Sequence, residues 1–359
     1  MSVLVATAVT AAVVAAAGSA PLAYRAARKR QRAAEGRIDT PAGIVEGRYV
    51  TIGGVEQWLQ IRGEDRANPV LLVVHGGPGS PYSVFTPVLR EWERYFTVVQ
   101  WDRRGCGRTL RRSGWHPQEL TFDRLVDDGI EVAEYLREHL GQNRVILMAG
   151  SMGTIVGLPM VRRRPDLFSA YVGTDFYVNM IENERRGRAD TLERLRAAGN
   201  RRGVAALEAL DPDPRTWDFK AWGTRMQWSM ATDPTTPNAV FRLLFPLLLT
   251  KPDYSLRDVA AWLKGFSKVN AAMYEQFMRF DARALGTTFE VPFFLFQGAR
   301  DVVTLVEPAV EYFAEVQAPV KELVLIEGAS HFAAFTEPGK FLEALKALKA
   351  LETLRRVRR

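Results

Sequence analysis

The chain predicts an α/β fold with a mostly parallel central sheet, helices on both faces and an inserted all-helical cap. Three observations predict it. Short apolar runs alternate with segments long enough for helices in the first half of the chain, and strand character returns near its end. The rhythm breaks between Phe176 and Thr288, where the pattern is helical and irregular. Glycine-rich turns follow directly on two of the apolar runs, which are too continuously apolar for a half-exposed sheet and read as buried parallel strands.

Composition sets the outer limits. The 359 residues are 47% hydrophobic and 25% charged, which excludes a disordered, collagen-like or disulfide-scaffold protein. A chain of this length buries a large core without a metal or disulfide staple, and the single Cys106 cannot form an intrachain bridge. The formal charge of +7 is concentrated at the ends. Residues 25–37 carry +5 and residues 355–359 carry +4, which leaves −2 for everything else. With a near-neutral body and no RNP, zinc-finger or basic-helix signature, nucleic acid is not an expected partner.

Taken in order, residues 1–24 contain no charged side chain and read as a membrane anchor, with the basic linker 25–41 behind them. The positive-inside rule then predicts a single-pass protein of the cell membrane whose catalytic body faces the cytoplasm. The small residues Ala15–Ala20 also fit a cleaved signal peptide, and an alanine-rich leader on a cytoplasmic protein is the third reading. Residues 42–175 form the first part of the core. It opens with a hairpin whose two β-rich runs flank Gly53-Gly54. Apolar runs at Val70–Val74, Thr97–Trp101, Val145–Met148 and Tyr171–Val172 predict strands, and segments near 84–94, 121–140 and 152–163 predict helices. The cap spans 176–288. The core resumes over 289–350 with strands at Val291–Phe296 and Glu322–Ile326 and a helix near 338–350, and residues 351–359 are a basic tail.

Ala149-Gly150-Ser151-Met152-Gly153 follows the strand at 145–148. A serine on a sharp strand-to-helix turn between small residues is a nucleophile elbow, and the helix start behind it stabilises developing negative charge. The alternative reading is a helix N-cap serine. His75-Gly76-Gly77-Pro78-Gly79 directly follows another strand, where a backbone N–H can approach a reacting carbonyl oxygen. Gly77 and Met152 are accordingly assigned to an oxyanion hole, and His75 to a structural hydrogen bond. A serine hydroxyl needs a histidine to take its proton and an acid to orient that histidine. Asp301 and His331 each follow a late strand, in the chain order Ser…Asp…His. The remaining histidines, His116 and His139, have bland readings in a loop and on a helix face.

With these residues in view, the chain resembles α/β-hydrolases of the proline iminopeptidase type, peptidase family S33. His75–Gly79 matches that family's loop. Asp102-Arg-Arg-Gly-Cys-Gly-Arg-Thr109 is similar to its Asp-Gln-Arg-Gly-Cys-Gly-Arg-Ser stretch, with Arg103 in place of Gln. The likeness runs from about 42 to 350 and is weakest across the cap. It implies a helical cap over the active site and release of an N-terminal proline or other residue from peptides.

Two departures bear on the substrate. Met152 stands where the family usually has Trp, and the segment 176–288 carries a net charge of +4 where family members place carboxylates to hold an ammonium group. Glu182 and Glu184 are the candidates for that role. Their bland reading is a solvated pair on a helix surface. The cap aromatics Trp217, Trp222, Trp228, Phe241 and Phe245 either line an apolar pocket or pack the cap's own core.

No phosphate loop, His-Glu-x-x-His or Cys-x-x-Cys is present, so neither a cofactor nor a metal is expected. The reading is a serine hydrolase with the triad Ser151, His331 and Asp301, acting through an acyl-enzyme on a small-molecule or short-peptide substrate. Prolyl aminopeptidase activity is one substrate class, and carboxylesterase, lactonase or thioesterase activity on apolar acyl groups is the other. A catalytically silent, membrane-tethered binding protein is the non-enzymatic alternative.

Overall fold

The structure, a computed structural model, describes residues 21–357. The chain opens its sheet with a hairpin of β1 (Ile44–Ile52) and β2 (Val55–Gly63), whose Ile52 pairs with Val55 across Gly53-Gly54. Both glycines have left-handed φ angles, +53° and +79°, as the primed turn requires. Six further strands follow: β3 (Val70–Val74), β4 (Thr97–Asp102), β5 (Val145–Gly150), β6 (Phe168–Thr174), β7 (Phe293–Gly298) and β8 (Lys321–Ile326). The sheet order is β1-β2-β4-β3-β5-β6-β7-β8, antiparallel through the first three strands and parallel thereafter.

Alternation along the buried strands divides the core between two faces. Leu72, Val74, Leu147 and Tyr171 pack on one side, with Val132 and Leu136 of α3 (Phe122–Leu140), which follows α1 (residues 21–35) and α2 (Gly107–Ser113), and with Met160 of α4 (Thr154–Arg163). Leu71, Val73, Ile146 and Val172 pack on the other, with Trp92 and Leu345 of the closing helix. That helix runs from Pro338 to Val357, so it continues through most of the expected basic tail. Neighbouring strands end together: Val74 pairs with Ala149, Gly150 with Thr174, and Gly298 with Ile326. The loops after β3, β5, β6, β7 and β8 therefore leave from one rim.

Between β6 and β7 the chain forms the cap helices α5 (Met180–Ala197), α6 (Arg201–Glu208), α7 (Phe219–Ala231), α8 (Phe245–Thr250) and α9 (Leu256–Met278), with a π-helical turn at Val240–Leu244. Helix α9 starts with a capping box, Ser255 and Asp258 each bonding the other's backbone N–H.

Local expectations were revised in three places. Residues 84–94 form two 3₁₀ helices, Tyr82–Val88 and Arg90–Arg94, because Pro87 removes an N–H that a continuous α-helix needs. Strand β6 is longer than the two-residue run that predicted it, and all of its residues are buried. The basic linker 25–41 begins within a helix that covers residues 21–35.

The membrane expectation is corrected too. Among the described residues no helix is long and apolar enough to cross a membrane. The cations read as its cytoplasmic flank face protein instead. Arg25 donates to the carbonyls of Leu249 and Tyr254 at 2.8 and 2.9 Å, and Lys29 donates to Tyr254 at 2.7 Å. Arg32 adds a bond to the Thr250 hydroxyl, so the segment is fastened to the end of α8. Most of the apolar stretch assigned to an anchor, residues 1–20, lies outside the described residues.

Candidate active site

Ser151 leaves β5 with φ +54°, a left-handed conformation that a non-glycine residue adopts only where its surroundings enforce it. The enforcement is local crowding. A Cβ on Gly76 would lie 2.7 Å from the Ser151 Cβ and from the Gly150 carbonyl, so the loop after β3 can pass the serine only as glycine. The alanine that replaces the usual first elbow glycine is accommodated by a second glycine. A Cβ on Gly157 would come within 2.5 Å of the Ala149 methyl.

Asp301 follows β7 and is fixed by its acceptor bonds. Its Oδ1 accepts from the backbone N–H of Val303 (2.8 Å) and Thr304 (2.9 Å), and its Oδ2 accepts from the Thr304 hydroxyl (2.6 Å) and Gln297 Nε2 (3.1 Å). His331, after β8, brings Nδ1 to 3.0 Å from Asp301 Oδ2. Ser151, Asp301 and His331 are 6, 4 and 4% exposed, dry enough for each charge to act strongly on the next. Hydrogen bonds tie His331 to Asp301 and Thr304. Among the described residues none closes between its ring and the Ser151 hydroxyl, a contact that often forms only around substrate.

One residue of this cluster had no motif to announce it. Asp175 directly follows β6 in a left-handed conformation (φ +47°), is buried, and lies with Asp301 and His331 in a group in which one polar atom of each is within 4.8 Å of the others. Burial pushes the Asp175 carboxyl up to about 7 against the pull of His331, and Asp301 adds to the rise. Burial lowers the His331 imidazole, but Asp301, Asp175 and, more weakly, Asp233 outweigh it and raise it to about 9. A position immediately after a buried strand, on the rim that also carries Ser151, was the only sequence signal for Asp175.

The glycine loop is held from behind by Arg103, the residue at which this chain departs from the resembling stretch. Its guanidinium donates to the carbonyls of His75 (2.6 Å) and Pro78 (3.0 Å) and to the His75 ring at 3.2 Å. Burial and the Arg103 charge keep His75 well below the usual histidine value, so it is a neutral partner in this clamp. Burial raises the Cys106 thiol to about 12, which leaves it protonated and unreactive at neutral pH.

In front of Ser151 lies a chamber of about 560 Å³, bordered by Gly77 and Met152. Of the cap aromatics singled out in the sequence, Trp222, Phe241 and Phe245 line it, whereas Trp217 and Trp228 pack into cap clusters. Glu182 and Glu184 are not brought to it. Glu182 pairs with Arg186 at 2.6 Å on the helix surface. Glu184 is fully buried beside an equally buried Arg225, with 3.3 Å between carboxylate and guanidinium. Helix α5 turns Glu184 inward because Asn183, next to it, is clamped to the loop after Asp301. Asn183 donates to the Val303 carbonyl (2.9 Å) and accepts from Leu305 N–H (3.0 Å).

Known proteins share the fold that carries this site. A profile of the Alpha/beta hydrolase family matches residues 70–344. The chain belongs to that family. It is 28% identical over 303 residues to the probable aminopeptidase YbaC of Bacillus subtilis, a match covering 82% of this chain and 93% of the relative. A probable proline iminopeptidase of Streptomyces coelicolor is 30% identical over 200 residues, 49% of this chain and 58% of its own. Among solved structures, a proline iminopeptidase-related protein of Thermus thermophilus superposes with a TM-score of 0.56 at 25% identity, covering 86% of this chain and 98% of that one. Proline iminopeptidase from Mycobacterium smegmatis, at 16% identity and a TM-score of 0.63 over 86% and 99% of the two chains, shares the fold. This alpha/beta hydrolase is therefore a hydrolytic enzyme similar to proline iminopeptidases.

Proposed function

We propose that the protein is a serine hydrolase working through an acyl-enzyme. The observation that carries this reading is the hydrogen-bonded His331–Asp301 pair on the same strand-end rim as the constrained Ser151. In the proposed cycle, His331 takes the Ser151 proton as the oxygen attacks a substrate carbonyl carbon. The Gly77 and Met152 N–H groups receive the oxyanion, Asp301 steadies the imidazolium, and His331 returns the proton to the leaving group. Water then attacks the acyl-serine by the same route, which restores the hydroxyl.

The names of the relatives support release of N-terminal residues from peptides, proline among them. The apolar lining of the chamber supports esters, lactones or thioesters. The test of the shared chemistry is labelling with a fluorophosphonate followed by peptide mass spectrometry. Modification should fall on Ser151 and be blocked by heating the protein first. Absence of label at Ser151 in folded protein would overturn the proposal.

A further inference from the structure

The chamber differs in chemistry from the rim it adjoins. Among the described residues that line it, none is Asp, Glu, Lys, Arg or His. Its walls are side chains such as Met152, Trp222, Met226, Phe245, Trp262 and Phe266. The two candidates for an ammonium-binding role, Glu182 and Glu184, lie outside the lining and are paired with Arg186 and Arg225, and Asp233, whose charge reaches His331, lies outside it too. The polar groups that remain are neutral dipoles. Asn270 borders the chamber while 2% exposed. Its amide N–H donates to the Phe266 carbonyl at 2.5 Å, and its Oδ1 has no partner among the described residues. Such an oxygen accepts well from a neutral N–H or O–H, but it does not offset the removal of a full cation from water.

We infer that the acyl subsite of this enzyme takes an uncharged apolar acyl group and rejects a free α-ammonium. Its substrates are then esters or thioesters of medium-length or aromatic acids, or amides whose amine is blocked. This inference rests on the serine-hydrolase reading and narrows it. It also separates this chain from the activity that its relatives' names suggest, because a peptide with a free N-terminus would bring an unpaired positive charge against Trp222, Met226 and Phe266.

The experiment uses the full-length protein and two substrate series, with fluorophosphonate labelling of Ser151 run on the same preparation. The first series is the p-nitrophenyl esters of acetate, butyrate, hexanoate and octanoate. The second pairs the p-nitroanilides of alanine and proline with their N-acetylated counterparts. kcat/KM should rise by about threefold per added methylene until the chamber is filled. Each N-acetylated anilide should exceed its free-amine partner by about a hundredfold. Met226→Trp, which fills part of the chamber, should move the preferred ester to a shorter acid. A free-amine anilide that equals or outruns its acetylated partner, on protein that labels at Ser151, would overturn the inference and leave the serine mechanism standing. A chain-length profile unchanged by Met226→Trp would overturn it as well. Failure to label Ser151 would instead remove the serine mechanism, and the acyl subsite with it.

Discussion

The strand-end rim and the chamber beside it are neighbours that share Ser151 and follow opposite rules. On the rim, three ionisable groups, Asp175, Asp301 and His331, are crowded together away from water, where Asp301 adds to the rise of Asp175 and both carboxylates raise His331. In the chamber no Asp, Glu, Lys, Arg or His appears among the described lining residues. The contrast teaches where this protein tolerates the cost of buried charge. It does so on the rim, supported by the bonds that fix Asp301, and not in the described lining of the chamber. The Glu184–Arg225 pair follows the same rule from the cap side, each charge neutralising the other just beyond the lining.

The largest effect should come from removing the group the two regions share. Ser151→Ala should lower kcat by about 10⁴- to 10⁶-fold with unchanged circular dichroism. Retention of wild-type rates would detach the chamber from the chemistry. Asp301→Asn should follow, with a loss of about 10³- to 10⁴-fold, because the imidazole loses its orienting acceptor. If Asp175→Asn proved the more damaging of the two, the roles of the two rim carboxylates would have to be exchanged.

On the chamber side, Arg225→Met should destabilise the fold by about 3–5 kcal/mol in urea titration, since it leaves Glu184 buried without a counter-charge. Combining it with Glu184→Leu should recover most of that loss. A double variant no more stable than the single one would mean that the pair does more than neutralise itself.

The subtlest test concerns pH. A general base acts when unprotonated, and His331 is raised to about 9, so kcat/KM should climb as pH rises toward that value and level off above it. Asp175→Asn removes one of the three carboxylates (Asp301, Asp175 and Asp233) that raise the imidazole, so the climb should begin at lower pH and activity at neutral pH should increase. An unmoved profile would show that Asp175 does not act on His331.

How much of this was legible depended on how local each signal is. The Gly53-Gly54 turn, the elbow around Ser151 and the loop at His75–Gly79 are encoded by adjacent residues whose backbone needs only small side chains can meet, and they stand where they were expected. Asp301 and His331 could be nominated because each follows a recognisable strand. Asp175 could not, because only the cross-strand register of β5, β6 and β7 brings it to the same rim. The environment of Glu184 was equally hidden. Its partner Arg225 lies on another cap helix, and no local pattern distinguishes a buried carboxylate from a solvated one. The cations of residues 25–32 looked like a membrane flank in one dimension and prove to be donors to carbonyls more than two hundred positions away.

The amino-acid sequence by itself determined the alternation that builds the sheet, the turns that need glycine, the order of the candidate triad and the family. The alternation and the turns rest on hydrophobic periodicity and short-range sterics, and the family on the resemblance of the His75–Gly79 and Asp102–Thr109 stretches, all of which a linear string records directly. Only the tertiary structure decided which charges face each other, which are neutralised and which surfaces enclose the space before Ser151. Burial and Coulomb interaction depend on three-dimensional distance, and the groups that matter here meet across separations that no local pattern spans.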